Sequence, residues 1–339
     1  MSLAKPILLA SAFLLLAAAG AHASTLSDVQ HRGAVRCGVA VNNPGFAYTD
    51  AQGVAHGFDV DLCRAIGAAI FGDPTKVDIR PVQPRDAFTV LTTGGVDVLT
   101  HRFTWTFTRD NGTGMEFTQT DFYDGQGFMV RKSMGIKSLT QLNGATICAA
   151  QGTTTELNVA DWFRQHNLTY KIVTFNGTDA TRLAYDDGRC DAWTDDRASM
   201  AARRLGLKDP AANVILPETI SKEPIGPIVR DNDTQWAHLV KWVIFATIEA
   251  EELGLTSANV DEQGTTTSNP EVKRFLGVTD DFGQKLGLSK DWAYNIVKKV
   301  GNYGEIFERN VGEKSPIGLT RGLNALWKDG GLMMSPPFR

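Results

Sequence analysis

Thr146-Ile147-Cys148-Ala149-Ala150-Gln151-Gly152-Thr153-Thr154-Thr155-Glu156 reads as a strand, a tight turn and the start of a helix. The apolar run fits a buried strand, Gly152 permits the turn, and Thr153 with Glu156 has the spacing of a capping box. Amides left unpaired at such a helix start suit a negative charge, and here they sit at the end of the strand. The pattern continues downstream. Residues 171–175 predict a strand, 179–187 a helix closed by Gly188, 190–194 a strand, and 196–205 a helix. Upstream the same order appears in different residues. There is a strand at 35–41, a helix from Asp59 with Leu62, Cys63, Ile66, Ala69 and Ile70 on one face, and a strand at 77–82. A helix at 85–93 and a strand at 96–100 follow. A βαβαβ series implies parallel strands with ligands at their carboxyl ends.

Two such units in one chain predict an α/β protein of two lobes. The chain crosses between them at residues 123–131, through Gly125 and Gly127, and again at 224–230, through Pro224, Gly226 and Pro227. Two crossings make a two-strand hinge. The expected division is 24–130 plus 226–339 for lobe 1 and 131–225 for lobe 2. After Arg230 the pattern turns helical, with Trp236, Leu239, Val240, Val243, Ile244 and Thr247 on one face. The tail from Asp291 carries Trp292, Tyr294, Tyr303, Phe307 and Trp327, and is expected to wrap lobe 1.

The 339 residues carry a net charge of −4, which gives no basic footprint for nucleic acid and no polybasic tail for anionic lipid. Residues 1–23 read as a secretory signal. Lys5 supplies positive charge, residues 7–19 are apolar, and Ala21-His22-Ala23 predicts cleavage before Ser24. The apolar run is too short for a bilayer span. The longest later candidate, 236–250, contains His238, Lys241 and Glu249. An exported, soluble chain with no membrane insertion is the expectation. Export makes disulfides the expected fate of the four cysteines. Of three possible pairings, Cys37–Cys63 and Cys148–Cys190 each keep a bridge inside one lobe. No spacing suggests a metal or a cofactor, and neither a G-x-S-x-G elbow nor a P-loop occurs.

Three positions carry the chemistry. Arg109 follows the third strand, where a guanidinium can hold a carboxylate through two parallel hydrogen bonds. Arg102, nearer that strand, competes for the role. Asp196 follows the strand at 190–194 and can accept from an ammonium, with Asp195 as the alternative. Arg109 and the Thr154 region together with Asp196 would form a cradle for a zwitterion, with donors from both lobes. Phe46 and Trp105 offer aromatic walls.

Gly57-Phe58-Asp59-Val60-Asp61-Leu62, Arg109, Gln151-Gly152-Thr153-Thr154 and Asp191 to Asp196 resemble the family 3 solute-binding proteins of ABC transporters. Longer strings resemble its general L-amino-acid-binding subgroup. Among them are Tyr123-Asp124-Gly125-Gln126-Gly127-Phe128-Met129-Val130, Ser257-Ala258-Asn259-Val260-Asp261-Glu262 and Val300-Gly301-Asn302-Tyr303-Gly304-Glu305-Ile306-Phe307. The resemblance covers nearly the whole chain after the signal. It implies a type II periplasmic binding protein, a monomer that closes on one L-amino acid and delivers it to inner-membrane permease subunits. It also implies that Arg109 grips the α-carboxylate with help from Thr154 beside Thr153. Asp196 takes the α-ammonium, and Thr104, Trp105 and Thr106 add backbone and hydroxyl contacts. His101-Arg102-Phe103 departs from the subgroup's pattern. The competing reading is an exported arogenate or prephenate dehydratase on the same fold, which needs a carboxylic acid poised to protonate a leaving hydroxyl. No isolated Glu in the expected cleft fits that role, since Glu156 is the capping partner.

Overall fold

Two five-stranded sheets of the same design organise the described residues. The structure is a computed structural model and describes residues 24–112 and 114–339; the expected signal lies outside the described residues. In the first sheet, Val35–Ala40 pairs in parallel with Val77–Val82 on one side and Val98–Thr100 on the other. Ile228–Arg230 then runs antiparallel between Val98–Thr100 and Met115–Phe117. In the second sheet, Thr146–Ala150 pairs in parallel with Lys171–Phe175 and Ala192–Asp196. Gln126–Arg131 runs antiparallel between Ala192–Asp196 and Asn213–Ile215. In each sheet the antiparallel strand beside the parallel trio is the one supplied directly after a crossing.

The hinge is a small sheet of its own. Phe122–Asp124 pairs antiparallel with Glu223–Ile225, so both crossings run side by side. Gly226 ends the second crossing against the first: a Cβ there would run into the carbonyl oxygen of Gln119. The expected boundary at 130/131 is corrected by this topology. Gln126–Arg131 lies wholly in the second sheet, because its backbone groups are spent on Ala192–Asp196 and Asn213–Ile215. The first crossing therefore lies at Phe122–Asp124.

Helix Thr234–Glu252 buries its expected face, Trp236, Leu239, Val240, Val243, Ile244 and Thr247, in the core of lobe 1. Trp292, Tyr303 and Phe307 join that core, whereas Trp327 is exposed. The tail also reaches the hinge. Asn324 accepts from the Tyr123 amide at 2.7 Å and donates to the Tyr123 carbonyl at 2.9 Å, standing in for a third strand on the open edge of Phe122–Asp124. Arg321 holds this segment in place with two hydrogen bonds to Glu251, at 3.0 and 3.1 Å.

Both expected disulfides form, each within one lobe. Cys37–Cys63 ties a central strand to helix Phe58–Phe71, and Cys148–Cys190 ties a central strand to the turn before Ala192–Asp196. The second closes a loop of 42 residues. Removing it by a Cys148→Ser, Cys190→Ser double substitution is expected to cost about 3–4 kcal/mol in urea unfolding. A midpoint unchanged from the oxidised parent would contradict that.

Candidate functional site

The cavity between the sheets, about 150 Å3, is lined from both sides by residues just past the carboxyl ends of the parallel strands. From lobe 1 come Asn43, Gln83, His101 to Thr104 and Arg109; from lobe 2 come Thr153 to Thr155, Asn176 to Asp179, Asp195, Asp196, Ser199 and Arg203. This follows from the parallel pairing, because strand ends and helix starts converge there.

Arg109 sits on the short helix Phe107–Asp110, which Thr106 caps by accepting from the Arg109 amide at 3.3 Å. Its Nη1 donates to the Thr104 carbonyl at 2.9 Å, and its guanidinium lies over Phe103 and Phe88, 5.4 and 5.7 Å from the ring centres. Burial lowers its pKa, against the pull of Glu223 and Asp196. Arg102 lines the same cavity, but its Nη2 is paired with Asp124 at 2.7 Å, with the two side chains only 4% and 5% exposed. Its guanidinium stacks on Phe46 at 3.9 Å and Phe122 at 4.5 Å.

On the opposite wall, Thr153 caps helix Thr154–Gln165 by accepting from the Glu156 amide at 3.4 Å, and Glu156 accepts from the Gly152 amide at 3.0 Å. The amides of Thr154 and Thr155 begin the helix with no carbonyl a turn earlier to bond, which leaves an anion-friendly end beside the cavity. Asp196 closes strand Ala192–Asp196 and occupies the N-cap position of helix Arg197–Arg204, yet its side chain makes no capping bond. Asp195 differs: it accepts from the Asp196 amide at 2.9 Å and from Ser199 Oγ at 3.4 Å. Burial pushes the Asp196 carboxyl well above the usual range, and the neighbouring Asp124, Asp195 and Glu223 push it further, with Arg102 opposing. Burial raises Asp195 to about 6, with Arg203 opposing. His101 is pushed down to about 4 by burial, so its ring is neutral at neutral pH. Its Nε2 therefore carries the proton it donates to the Val82 carbonyl at 2.7 Å.

The structure brings Arg109, Thr104, Thr153, Thr154 and Asp196 to one cavity and leaves three expected residues outside its wall. Phe46 is fully buried. The turn from Asn43 to Ala47 folds inward, and Phe46 meets Phe58 and Phe122 edge-on, beneath Arg102. Trp105 stacks on Phe117, 5.5 Å between centres, and its amide donates to the Pro224 carbonyl at 2.7 Å, so the loop is stitched to the hinge. Thr106 is spent as the cap described above. The aromatic wall is Phe103 instead, stacked on His101 at 4.4 Å.

Sequence reasoning missed Glu223. It is 2% exposed, on the second hinge strand, and it accepts from side chains of both lobes. An acid placed directly before Pro224 in a crossing segment was the available signal. It also missed the contacts across the cleft mouth. Asn42 donates to Asp179 at 3.1 Å, and Arg203, itself paired with Asp179 inside lobe 2, donates to the Val41 carbonyl at 3.5 Å.

Two further buried carboxyls lie behind the site. Burial raises Asp121 to about 8 and lifts Asp59 well above the usual range, with Arg102 opposing both. A group raised on folding binds its proton more tightly when folded. Its contribution is full below the ordinary carboxylate value and is lost as pH rises through the folded value. The melting temperature of the ligand-free protein is therefore expected to fall between about pH 5 and pH 8, and Asp121→Asn should flatten that slope. An unaltered slope in the variant would assign it elsewhere.

Residues 35–258 match the family described as bacterial extracellular solute-binding proteins, family 3. The general L-amino acid-binding periplasmic protein AapJ of Rhizobium johnstonii is 51% identical over 331 residues, covering 97% of each chain. The glutamate/glutamine/aspartate/asparagine-binding protein BztA of Rhodobacter capsulatus is 48% identical, covering 96% of each. A solved ABC transporter periplasmic binding protein from Brucella ovis with glutathione bound is 50% identical. It superposes with a TM-score of 0.92 over 94% of this chain and 100% of its own.

Proposed function

The chain belongs to the bacterial extracellular solute-binding proteins, family 3, with their two-lobed type II architecture, and from that premise we propose that it captures L-amino acids between its lobes for delivery to the permease of an ABC transporter. The observation that carries this reading is the placing of a cation, Arg109, and a carboxyl that caps no helix, Asp196, on opposite walls of one cavity. Arg109 and the start of helix Thr154–Gln165 take the α-carboxylate. Asp196 takes the α-ammonium. A ligand that touches both walls favours the closed form over the open one, because each contact is complete only when the lobes meet. Residues 1–23 act as the export signal, cut before Ser24, which puts the capture step in the periplasm. No helix among the described residues is long and apolar enough to cross a membrane.

The relatives support this ligand class. They are named for general and for acidic and amide amino acids, and the Brucella ovis protein holds glutathione. Glutathione ends in a γ-glutamyl group with a free α-carboxylate and α-ammonium, the same pair of charges. Turnover of arogenate is not favoured, because Glu223 is surrounded by donors and serves as an acceptor. Calorimetry of the purified protein against the twenty L-amino acids and glutathione tests the reading. Heat of association with at least one of them, and no conversion of arogenate, is expected. Silence across the whole panel would defeat it.

A further inference from the structure

One carboxylate at the hinge collects four side-chain donors. Glu223 Oε2 accepts from Thr104 Oγ1 and, at 3.4 Å, from Thr154 Oγ1. Glu223 Oε1 accepts from Asn158 Nδ2 at 3.0 Å and from Ser221 Oγ at 2.5 Å. Thr104 belongs to the loop after strand Val98–Thr100 in lobe 1; Thr154 and Asn158 belong to the first turns of helix Thr154–Gln165 in lobe 2. Ser221 lies on the hinge segment. The Glu223 backbone is fixed in turn by its pairing with Asp124 on the other crossing.

A carboxylate only accepts, and a hydroxyl has one proton to give and two lone pairs. A threonine that donates to Glu223 has no proton left for the cavity. Thr104 and Thr154 both line that cavity, and their oxygens lie 3.3 Å apart. Thr104 gives its proton to Glu223, and Thr154 gives its own to Glu223 or to Thr104 Oγ1, so neither has a proton for the cleft and each keeps a lone pair for whatever occupies it. Such a pair of acceptors suits an ammonium and repels a carboxylate. The help that Thr154 gives at the α-carboxylate would then come from its amide and not from its hydroxyl. The carboxylate end is left to Arg109 and the backbone amides that open the helix, while the hydroxyls join Asp196 at the amine end.

We propose that Glu223 is a positioning residue that fixes the proton direction of the Thr104 and Thr154 hydroxyls, and so makes the site read an α-ammonium. This rests on the amino-acid-binding reading above. Glu223 touches no ligand itself in this scheme; it acts through the two hydroxyls. Its place on the hinge adds a second consequence. The same carboxylate holds donors from both lobes, so the acceptor pair is assembled only when the lobes are brought together.

The test is a double-mutant cycle on affinity for the tightest-binding amino acid of the calorimetric panel, with folding checked by circular dichroism and melting. Glu223→Gln keeps the shape but replaces one acceptor oxygen with a donating NH2, which frees a hydroxyl proton to turn into the cavity. Thr104→Val removes the acceptor outright. Each single variant is expected to weaken binding at least tenfold. The double variant should be no weaker than the worse single, because both remove the same contact. Factors that multiply in the double variant would show that Glu223 does not act through Thr104, and an unchanged affinity in Glu223→Gln would overturn the proposal directly. Should Glu223→Gln fail to fold, Thr104→Ser against Thr104→Val decides. The hydroxyl-bearing serine must retain affinity that valine loses, and equal affinities would end the proposal. If the parent protein binds no amino acid at all, the reading of function fails instead, and the cycle would not be run.

Discussion

Arg109→Met is expected to weaken amino-acid binding by two orders of magnitude or more while leaving the melting temperature near that of the parent. Arg102→Met is expected to do the opposite. The difference lies in what each guanidinium is tied to. Arg109 lines the cavity, oriented by the Thr104 carbonyl and by the rings of Phe103 and Phe88. A carboxylate met there gains charge-assisted hydrogen bonds inside a largely buried site, and losing one partner of such a pair costs about 3–5 kcal/mol. Arg102 is already committed to Asp124, beneath the cleft and between two rings. It also opposes the burial-driven rise of Asp59, Asp121 and Asp124. Removing it strands a buried carboxylate, and the damage falls on folding and on the hinge. Paired calorimetry and melting of both variants read the two effects separately. If Arg102→Met loses the ligand at unchanged stability while Arg109→Met binds normally, the carboxylate site moves to Arg102.

The sequence showed the scaffold more readily than the interior of the site, and the reason is physical. Strands Val77–Val82, Thr146–Ala150 and Lys171–Phe175 are found at the positions their apolar runs indicate, since periodic burial is a local signal. Elements shifted where the boundary residue does two jobs. Asp196 is both the last residue of its strand and the residue before its helix, so the strand was read two residues early. In sequence, 123–131 looks like a crossing throughout, because Gly125 and Gly127 look like breaks. Gly127 instead pairs with Asp195 inside the sheet, and a Cβ there would press on the Arg197 side chain. The cleft residues after the parallel strands were legible because topology alone brings them together. Phe46 and Trp105 were not, because an aromatic next to a broken loop carries no local mark of which way it turns. Phe46 turned inward under Arg102, and Trp105 turned onto Phe117. Glu223, marked only by its place before Pro224, was hard to read for a different reason. Its partners lie 119, 69 and 65 residues away, at Thr104, Thr154 and Asn158, and no window on the chain contains them.

Asp196→Asn should separate binding from stability in opposite directions. In the free protein the Asp196 carboxyl is buried beside Asp124, Asp195 and Glu223, and its pKa stands well above the usual carboxylate range. Such a group favours the folded state while protonated, and that contribution is lost as pH rises through its folded value. Asparagine keeps the size and removes the buried charge, so the ligand-free variant should melt at a higher temperature than the parent on the alkaline side. An α-ammonium reverses the balance for the parent. It supplies the missing counter-charge, draws the carboxyl toward its ionised form and releases a proton on binding. Affinity of the parent should therefore rise with pH until Asp196 is ionised in the free state, and at the plateau Asp196→Asn should bind at least tenfold more weakly, with little of that pH dependence left. A site that binds tightly because it holds an uncomfortable charge in reserve must show both effects together. A variant that binds like the parent, or one that loses affinity and stability in step, would mean that Asp196 is not the residue that meets the amine.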